Sequence, residues 1–167
     1  MLSNFRPSNF KKMKKYLISR LKEKDFLEKK MIKQKEIVLS GRRRGCHLVT
    51  SEIEAELPEL PTTGLLNLFV RHTSCGLSIN ENCDPTVRSD MSKALDRMVP
   101  EDEMLYDHSD EGPDDMPSHV KSSMIGVSVT IPIKNKELAL GTWQGIYLCE
   151  FRNHGGSRRI IATIVGE

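Results

Sequence analysis

From Ile37 onward the chain alternates short apolar runs with polar punctuation, at intervals that suit strands more often than helices. Ile37-Val38-Leu39 predicts a first strand, and Gly41-Arg42-Arg43-Arg44-Gly45 a turn with a local basic cluster. Thr50 or Ser51 is placed to cap a short helix reaching Leu57, which Pro58 and Pro61 close. After a turn at Gly64, residues 65–70 read as a buried strand, and residues 77–79 as a second, shorter one.

Asp84-Pro85 is a helix start: the Asp side chain can accept from an orphan N–H, and Pro at the first helical position loses no useful donor. Val87, Met91, Ala94, Leu95 and Met98 follow with helical spacing up to Pro100. Residues 101–117 are acidic and turn-rich, which predicts a loop too polar for a core; loops of that length in compact domains commonly carry function. A short helix is expected over 117–124 and an alternating strand over 127–133. A turn at Lys134-Asn135-Lys136 then leads into 137–140, and two further strands cover 145–151 and 159–165. The pattern predicts an α+β fold, a compact antiparallel sheet with two or three short helices, whose C-terminal part is an antiparallel meander with no βαβ unit.

Charge divides the chain. Residues 1–30 hold ten Lys/Arg against three acidic residues, and the remaining 137 residues hold 15 basic against 20 acidic ones. The basic character therefore belongs to an N-terminal extension, residues 1–30, and the expected domain spans 31–167. Phe10, Met13, Leu17 and Leu21 are spaced for one helical face, so this segment reads as a solvated helical arm or an organelle-targeting presequence. A helix continuing through Phe26, Leu27 and Met31 would join it to the domain. A mildly acidic domain argues against nucleic-acid binding by the core, because neutralising phosphates needs cations on the folded face. No apolar run approaches the ~18–20 residues of a membrane-spanning helix. Cys46, Cys75, Cys83 and Cys149 have no framework spacing, so a reducing, cytoplasmic setting with buried thiols is expected.

The candidate chemistry concentrates between His72 and His119. His72-Thr73-Ser74 follows a predicted strand, whose end can present an imidazole and two hydroxyls to a cleft. In Asn80-Glu81-Asn82-Cys83-Asp84, Asp84 is explained as a cap, which leaves Glu81 for proton transfer or metal binding. Residues 106–119 hold two histidines, His108 and His119, with five carboxylates, a donor set that suits divalent cations although its spacing matches no standard zinc motif. Trp143, the only tryptophan, lies between glycines beside Gln144, where it could stack on a planar ring or fill an interface. Glu150 sits in an otherwise apolar strand and needs a partner: Arg71, Arg152, Arg158, Arg159 or a metal. His154 in a glycine-rich turn reads as an exposed turn residue.

The blocks LSGRRRGCHLVTSEI, RHTSCGLSINENCDP, HSDEGPDDMPSHVK and LALGTWQGIYLCEFR, in this order, resemble the YjbQ-type family, long uncharacterised and also labelled secondary thiamine-phosphate synthase. The similarity covers the chain from Met31 to Glu167. It implies a compact antiparallel α+β domain that forms homotrimers, with a divalent metal (zinc or magnesium) or an anion in a His-lined cleft. It places an HTS motif on His72, Thr73 and Ser74, an NE-D motif on Asn80, Glu81 and Asp84, an HxxEG…H motif on His108, Glu111, Gly112 and His119, and a TWQ motif on Thr142, Trp143 and Gln144. On that basis His72, His108 and His119 are the expected metal set, and His72, Glu81, Glu111 and His119 the expected catalytic groups. Arg71, Thr73, Ser74, Asn80, Trp143 and Gln144 are expected against a small phosphorylated substrate. The label implies that a pyrimidine-methyl diphosphate is joined to a thiazole phosphate. The alternative is a non-catalytic trimer holding an anion or metal in the same cleft.

Overall fold

A computed structural model describes residues 11–20 and 31–167. Residues 11–20 form a helix, α1, exposed along its whole length, in which Met13 and Leu17 of the expected face lie; Phe10, Leu21, Phe26 and Leu27 fall outside the described residues, and Met31, expected to continue the helix, lies instead in a strand. The rest runs β1 (Met31–Leu39), β2 (Gly45–Leu48), α2 (Thr50–Glu56), β3 (Thr63–Val70), β4 (Cys75–Glu81), α3 (Pro85–Met98), a 3-10 turn (Glu103–Leu105), α4 (Asp115–Ile125), β5 (Ser128–Lys134), β6 (Glu137–Leu138), β7 (Gln144–Glu150) and β8 (Arg158–Gly166). The fold is α+β. None of its described helices is long and apolar enough to cross a membrane.

Every strand pairing is antiparallel, in a five-stranded sheet of order β1-β8-β3-β5-β6 and a three-stranded sheet of order β2-β7-β4. The expected C-terminal meander is corrected here. β5 and β6 form a hairpin, but β7 leaves for the other sheet and β8 inserts between β1 and β3. The core lies between the sheets, where alternate residues of each strand meet: Ile37, Leu66, Leu68, Ile131, Ile160 and Ile164 from one side, Leu77, Ile146 and Leu148 from the other. α3 covers the outer face of the smaller sheet, packing Leu95 with Cys46, Tyr147, Cys149 and Phe151. β7 is thus covered on both faces, which is why its sequence between Gln144 and Glu150 is an unbroken apolar run.

Several local expectations shift for identifiable reasons. β2 is an addition to the expected strands; four residues with Gly at one end carry no alternation to read. The Thr50 hydroxyl does not cap α2 but accepts from the Ile146 amide at 2.8 Å, linking that helix to β7. The Asp84 cap forms as expected, with its Oδ1 accepting from Thr86 N at 2.8 Å. Cys46, Cys75 and Cys149 are buried, but Cys83 is exposed.

α4 begins at Asp115 rather than Pro117, and its buried side is mostly polar. The Ser122 hydroxyl donates to the Cys75 carbonyl at 2.7 Å. Buried Lys121 donates to Asp96 of α3 at 2.6 Å, and Arg44 reaches the same carboxylate at 2.5 Å. Gly76 allows this close seating: a Cβ there would stand 2.9 Å from the Gly126 carbonyl oxygen and from Ile125. The helix is therefore fixed at its far end, and its first turn is held beside the end of β4.

Candidate metal centre

The first turn of α4 carries the site. Asp115 and His119 are one helical turn apart on one face, so their side chains converge. His108 arrives from the preceding loop: its Nε2 lies 2.8 Å from Asp115 Oδ2, and His119 Nε2 lies 3.3 Å from the same oxygen. The two rings stand 5.7 Å apart between centroids. These three residues form the one group of His, Cys, Asp or Glu side chains among the described residues with ligand atoms all within 4.8 Å of one another.

The surroundings prepare these atoms for a cation. The Thr73 carbonyl lies 3.0 Å from His119 Nδ1, which puts the ring proton there and turns the Nε2 lone pair towards Asp115. Two acceptors, an imidazole nitrogen and a carboxylate oxygen, then face each other at 3.3 Å. That contact is unfavourable unless a proton or a metal ion lies between them. Adjacent ligands on a tetrahedral zinc ion, with bonds of about 2.0–2.1 Å, stand about 3.3 Å apart. Asp115 is only 3% exposed at its side chain, and His108 is half exposed, so the group is deep on one side and open on the other. Two imidazoles and one carboxylate with solvent access leave coordination positions for a substrate or water.

Arg152 holds the carboxylates. Its guanidinium is ion-paired with Asp115 Oδ1, lies 3.3 Å from Asp114 Oδ2, and donates to the Glu111 carbonyl at 2.9 Å. Asp114 also accepts from the Asn153 amide at 2.8 Å. The 101–117 segment is therefore not wholly the solvated loop expected from its polarity. Asp114 and Asp115 are buried, because Arg152 and the start of α4 compensate their charge.

Of the sequence-derived ligands, the structure brings His108 and His119 together and leaves His72 apart. His72 Nε2 accepts from the Arg159 amide at 2.9 Å, which spends that lone pair. Burial pushes the His72 pKa down, with the neighbouring Arg158 charge acting in the same direction. Asp115 stands with them instead. Among five carboxylates it does not stand out in sequence, and its spacing of four from His119 on a helix is the signal that could have found it. Thr73 contributes its carbonyl, and the Ser74 hydroxyl accepts from Arg158 Nη2 at 3.2 Å. Glu111 is exposed, with its carbonyl on Arg152. Exposed Arg71 pairs with Glu36 at 3.0 Å. Glu150 has its partner in Arg158, through Nε–Oε2 at 2.6 Å and Nη2–Oε1 at 2.5 Å, fully buried behind the site.

Asn80, Glu81, Trp143 and Gln144 gather elsewhere. Cys75 pairs with Glu150 at one end of the β4–β7 ladder, and Glu81 pairs with Gln144 at the other. Six residues of strand separate those ends by about 20 Å. Within one chain, the residues of the single cleft inferred from sequence therefore lie in two places.

An antiparallel α+β domain with a His/Asp group at the start of its last helix is the class of protein these features define. Residues 35–167 match the family described as UPF0047 protein YjbQ-like, and the chain belongs to that family. It is 55% identical over 136 residues to the UPF0047 protein YjbQ of Salmonella typhimurium, covering 80% of this chain and 98% of the relative. A conserved hypothetical protein of Thermus thermophilus has a solved structure similar to this one, with a TM-score of 0.67 and 32% identity, covering 76% of this chain and 97% of that one. A YbjQ-like protein of unknown function from Sulfolobus solfataricus P2 shares the fold at a TM-score of 0.71 and 20% identity, over 83% and 99% of the two chains.

Proposed function

We propose that this protein is a metal-dependent enzyme acting on a small phosphorylated substrate, with His108, Asp115 and His119 holding the ion. The observation that carries this reading is the 3.3 Å approach of His119 Nε2 to Asp115 Oδ2, with the histidine proton fixed on the opposite ring nitrogen. Two imidazole donors favour zinc over magnesium, which prefers oxygen ligands and water. Such an ion supplies a Lewis acid that polarises a phosphoryl oxygen or stabilises a departing phosphate. Around it, Arg152 keeps Asp115 oriented and the Thr73 carbonyl keeps His119 in one tautomer.

The reaction suggested by the family label, joining a pyrimidine-methyl diphosphate to a thiazole phosphate, fits such a centre. Diphosphate departs as the carbon–nitrogen bond forms, and the negative charge accumulating on it needs a cation. The test is metal analysis of natively purified protein, combined with an assay of thiamine-phosphate formation before and after chelation. Stoichiometric zinc and activity lost on chelation are expected. Bound metal without turnover would leave a non-catalytic binding protein, and metal-free protein with full turnover would remove the metal centre.

We also propose that the chain works as a homotrimer, as the family resemblance implies. The open face of the five-stranded sheet supports this, because Ile32, Val165 and Leu65 lie in one row across three strands and are about half exposed or more. Sedimentation velocity of the full chain checks it, and a monomer at micromolar concentration would exclude it.

A further inference from the structure

Two cysteines meet on the outer face of the smaller sheet. Cys46 of β2 stands opposite Cys149 of β7, and their sulfurs lie 3.6 Å apart. The ladder places them in the closer of its two kinds of pair. Val49 N donates to Ile146 O at 2.8 Å, so that pair, next in the same register, is hydrogen-bonded. Three steps back, Cys46–Cys149 is a non-hydrogen-bonded pair, in which Cα atoms stand about 4.5 Å apart and side chains are closest. The other flank of β7 agrees. Phe151 N donates to Ser74 O, so the backbone groups of Phe151, and two residues earlier those of Cys149, face β4 rather than β2. Sulfurs in this arrangement can close to the disulfide length of about 2.0 Å with little backbone movement. A Cα separation near the lower end of the disulfide range, about 4.4 Å, favours a bond that is easily reduced again.

The two sulfurs are not equivalent. Cys46 is 8% exposed, whereas Cys149 is wholly covered. Beside Cys46, between β2 and α3, lies a gap of about 10 Å³, lined by Arg44, Gly45, Ser92 and Asp96 among others. That is room for about one water molecule, so it suits an oxidant of two oxygen atoms and excludes a peptide-sized disulfide. Ionised Cys46 accepts from the Cys149 thiol and from the Ser92 hydroxyl of α3, which brings its pKa down to about 7 against the opposing effect of burial. The same contact, with burial, pushes Cys149 up. Cys46 thus has the character of an attacking thiol and Cys149 that of a resolving one. Cys75 shares neither feature: it faces the core between the sheets, where burial pushes its thiol up to about 12. Cys83 is exposed beyond the end of β4.

We propose that Cys46 and Cys149 are a site of reversible oxidation, joined as a disulfide by a small peroxide. The Cys46 thiolate attacks one peroxide oxygen and the O–O bond breaks. The other oxygen leaves as water with the proton that Cys46 gave up. The Cys149 sulfur then attacks the Cys46 sulfenic acid, the S–O bond breaks, and a second water leaves with the Cys149 proton. The peroxide takes up the two electrons that the thiols lose. The folded full-length protein is treated with hydrogen peroxide, and its disulfides are mapped by mass spectrometry of the peptides. A Cys46–Cys149 link that dithiothreitol removes is expected. It should form roughly tenfold or more faster than with oxidised glutathione, which the gap does not admit. In Cys149→Ala, dimedone should trap a sulfenic acid on Cys46, and in Cys46→Ala it should leave Cys149 unlabelled. Cys83→Ser should leave the link unchanged. Absence of the Cys46–Cys149 link in the folded protein, or a link that forms only after unfolding in urea, overturns the proposal. So do equal rates with the two oxidants, and so does dimedone on Cys149 rather than Cys46. The link is read in the unsubstituted chain, so an alanine variant that fails to fold still leaves the outcome decided.

Discussion

Asp115→Asn is expected to lower the affinity for zinc by roughly 100-fold or more, since even residues behind the ligands change metal affinity 10–100-fold. The substitution keeps the shape of the side chain and removes its charge. Asp115 Oδ2 is the atom common to both imidazole contacts, at 2.8 and 3.3 Å, so without a carboxylate the two histidines have no anionic centre to share. Arg152 keeps Asp114 as a partner, which limits the structural damage. Competition with a chromogenic chelator measures the affinity, and circular dichroism with a melting curve tests the fold. If the variant binds zinc as tightly as the parent while both are folded, Asp115 is not a ligand. If the parent binds none, the centre is not a metal site.

The second large effect is on stability. Glu150→Ala should destabilise the domain by about 3–5 kcal/mol, because it leaves the Arg158 guanidinium buried without its counter-charge. Arg158 and Glu150 are 4% and 0% exposed, and their two-pronged contact at 2.5 and 2.6 Å closes the space between the sheets at the end of β7. For a domain of this size, the melting temperature should fall by roughly 10 °C. Replacing both partners, as Glu150→Leu with Arg158→Met, should cost markedly less, since no charge is then stranded. A single variant that melts within about 3 °C of the parent, the shift that about 1 kcal/mol produces, would mean that water reaches the guanidinium and that the pair contributes little. Because the double variant is the more stable, it remains informative if Glu150→Ala does not fold.

These two residues mark how far the sequence could be read. That Glu150 needed a partner was legible, since an acid in an apolar strand is costly alone. Which of four arginines it takes was not, because that depends on β8 crossing to lie between β1 and β3. The strands themselves were readable wherever one face is buried, as in β5, where alternation is clear. β7 was readable as an apolar run, but its sheet was not, since burial on both faces erases the alternation that would show which side meets the core. At the candidate metal centre the histidines were visible as unusual residues in an acidic stretch. Asp115 was hidden because the helix was expected to begin at Pro117, and only on a helix does a separation of four mean adjacency. His72 pointed the other way: a strand-end histidine looks available, and only the pairing of strands shows that the Arg159 amide occupies its Nε2.

The position of β8 has one more consequence. It is the last strand in chain order, yet it joins β1 to the rest of the five-stranded sheet, running from Met31↔Gly166 on one side to Val70↔Ile160 on the other. During synthesis, β1 and β3 are both made well before the strand that joins them emerges, so each carries an unsatisfied edge in that interval. The nascent chain can form the β3–β5 pair early, but β1 must wait for residues 158–166 to emerge. Lys33 and Lys35 in β1 then act as gatekeepers, because charges along an unpaired edge discourage its pairing with another nascent copy.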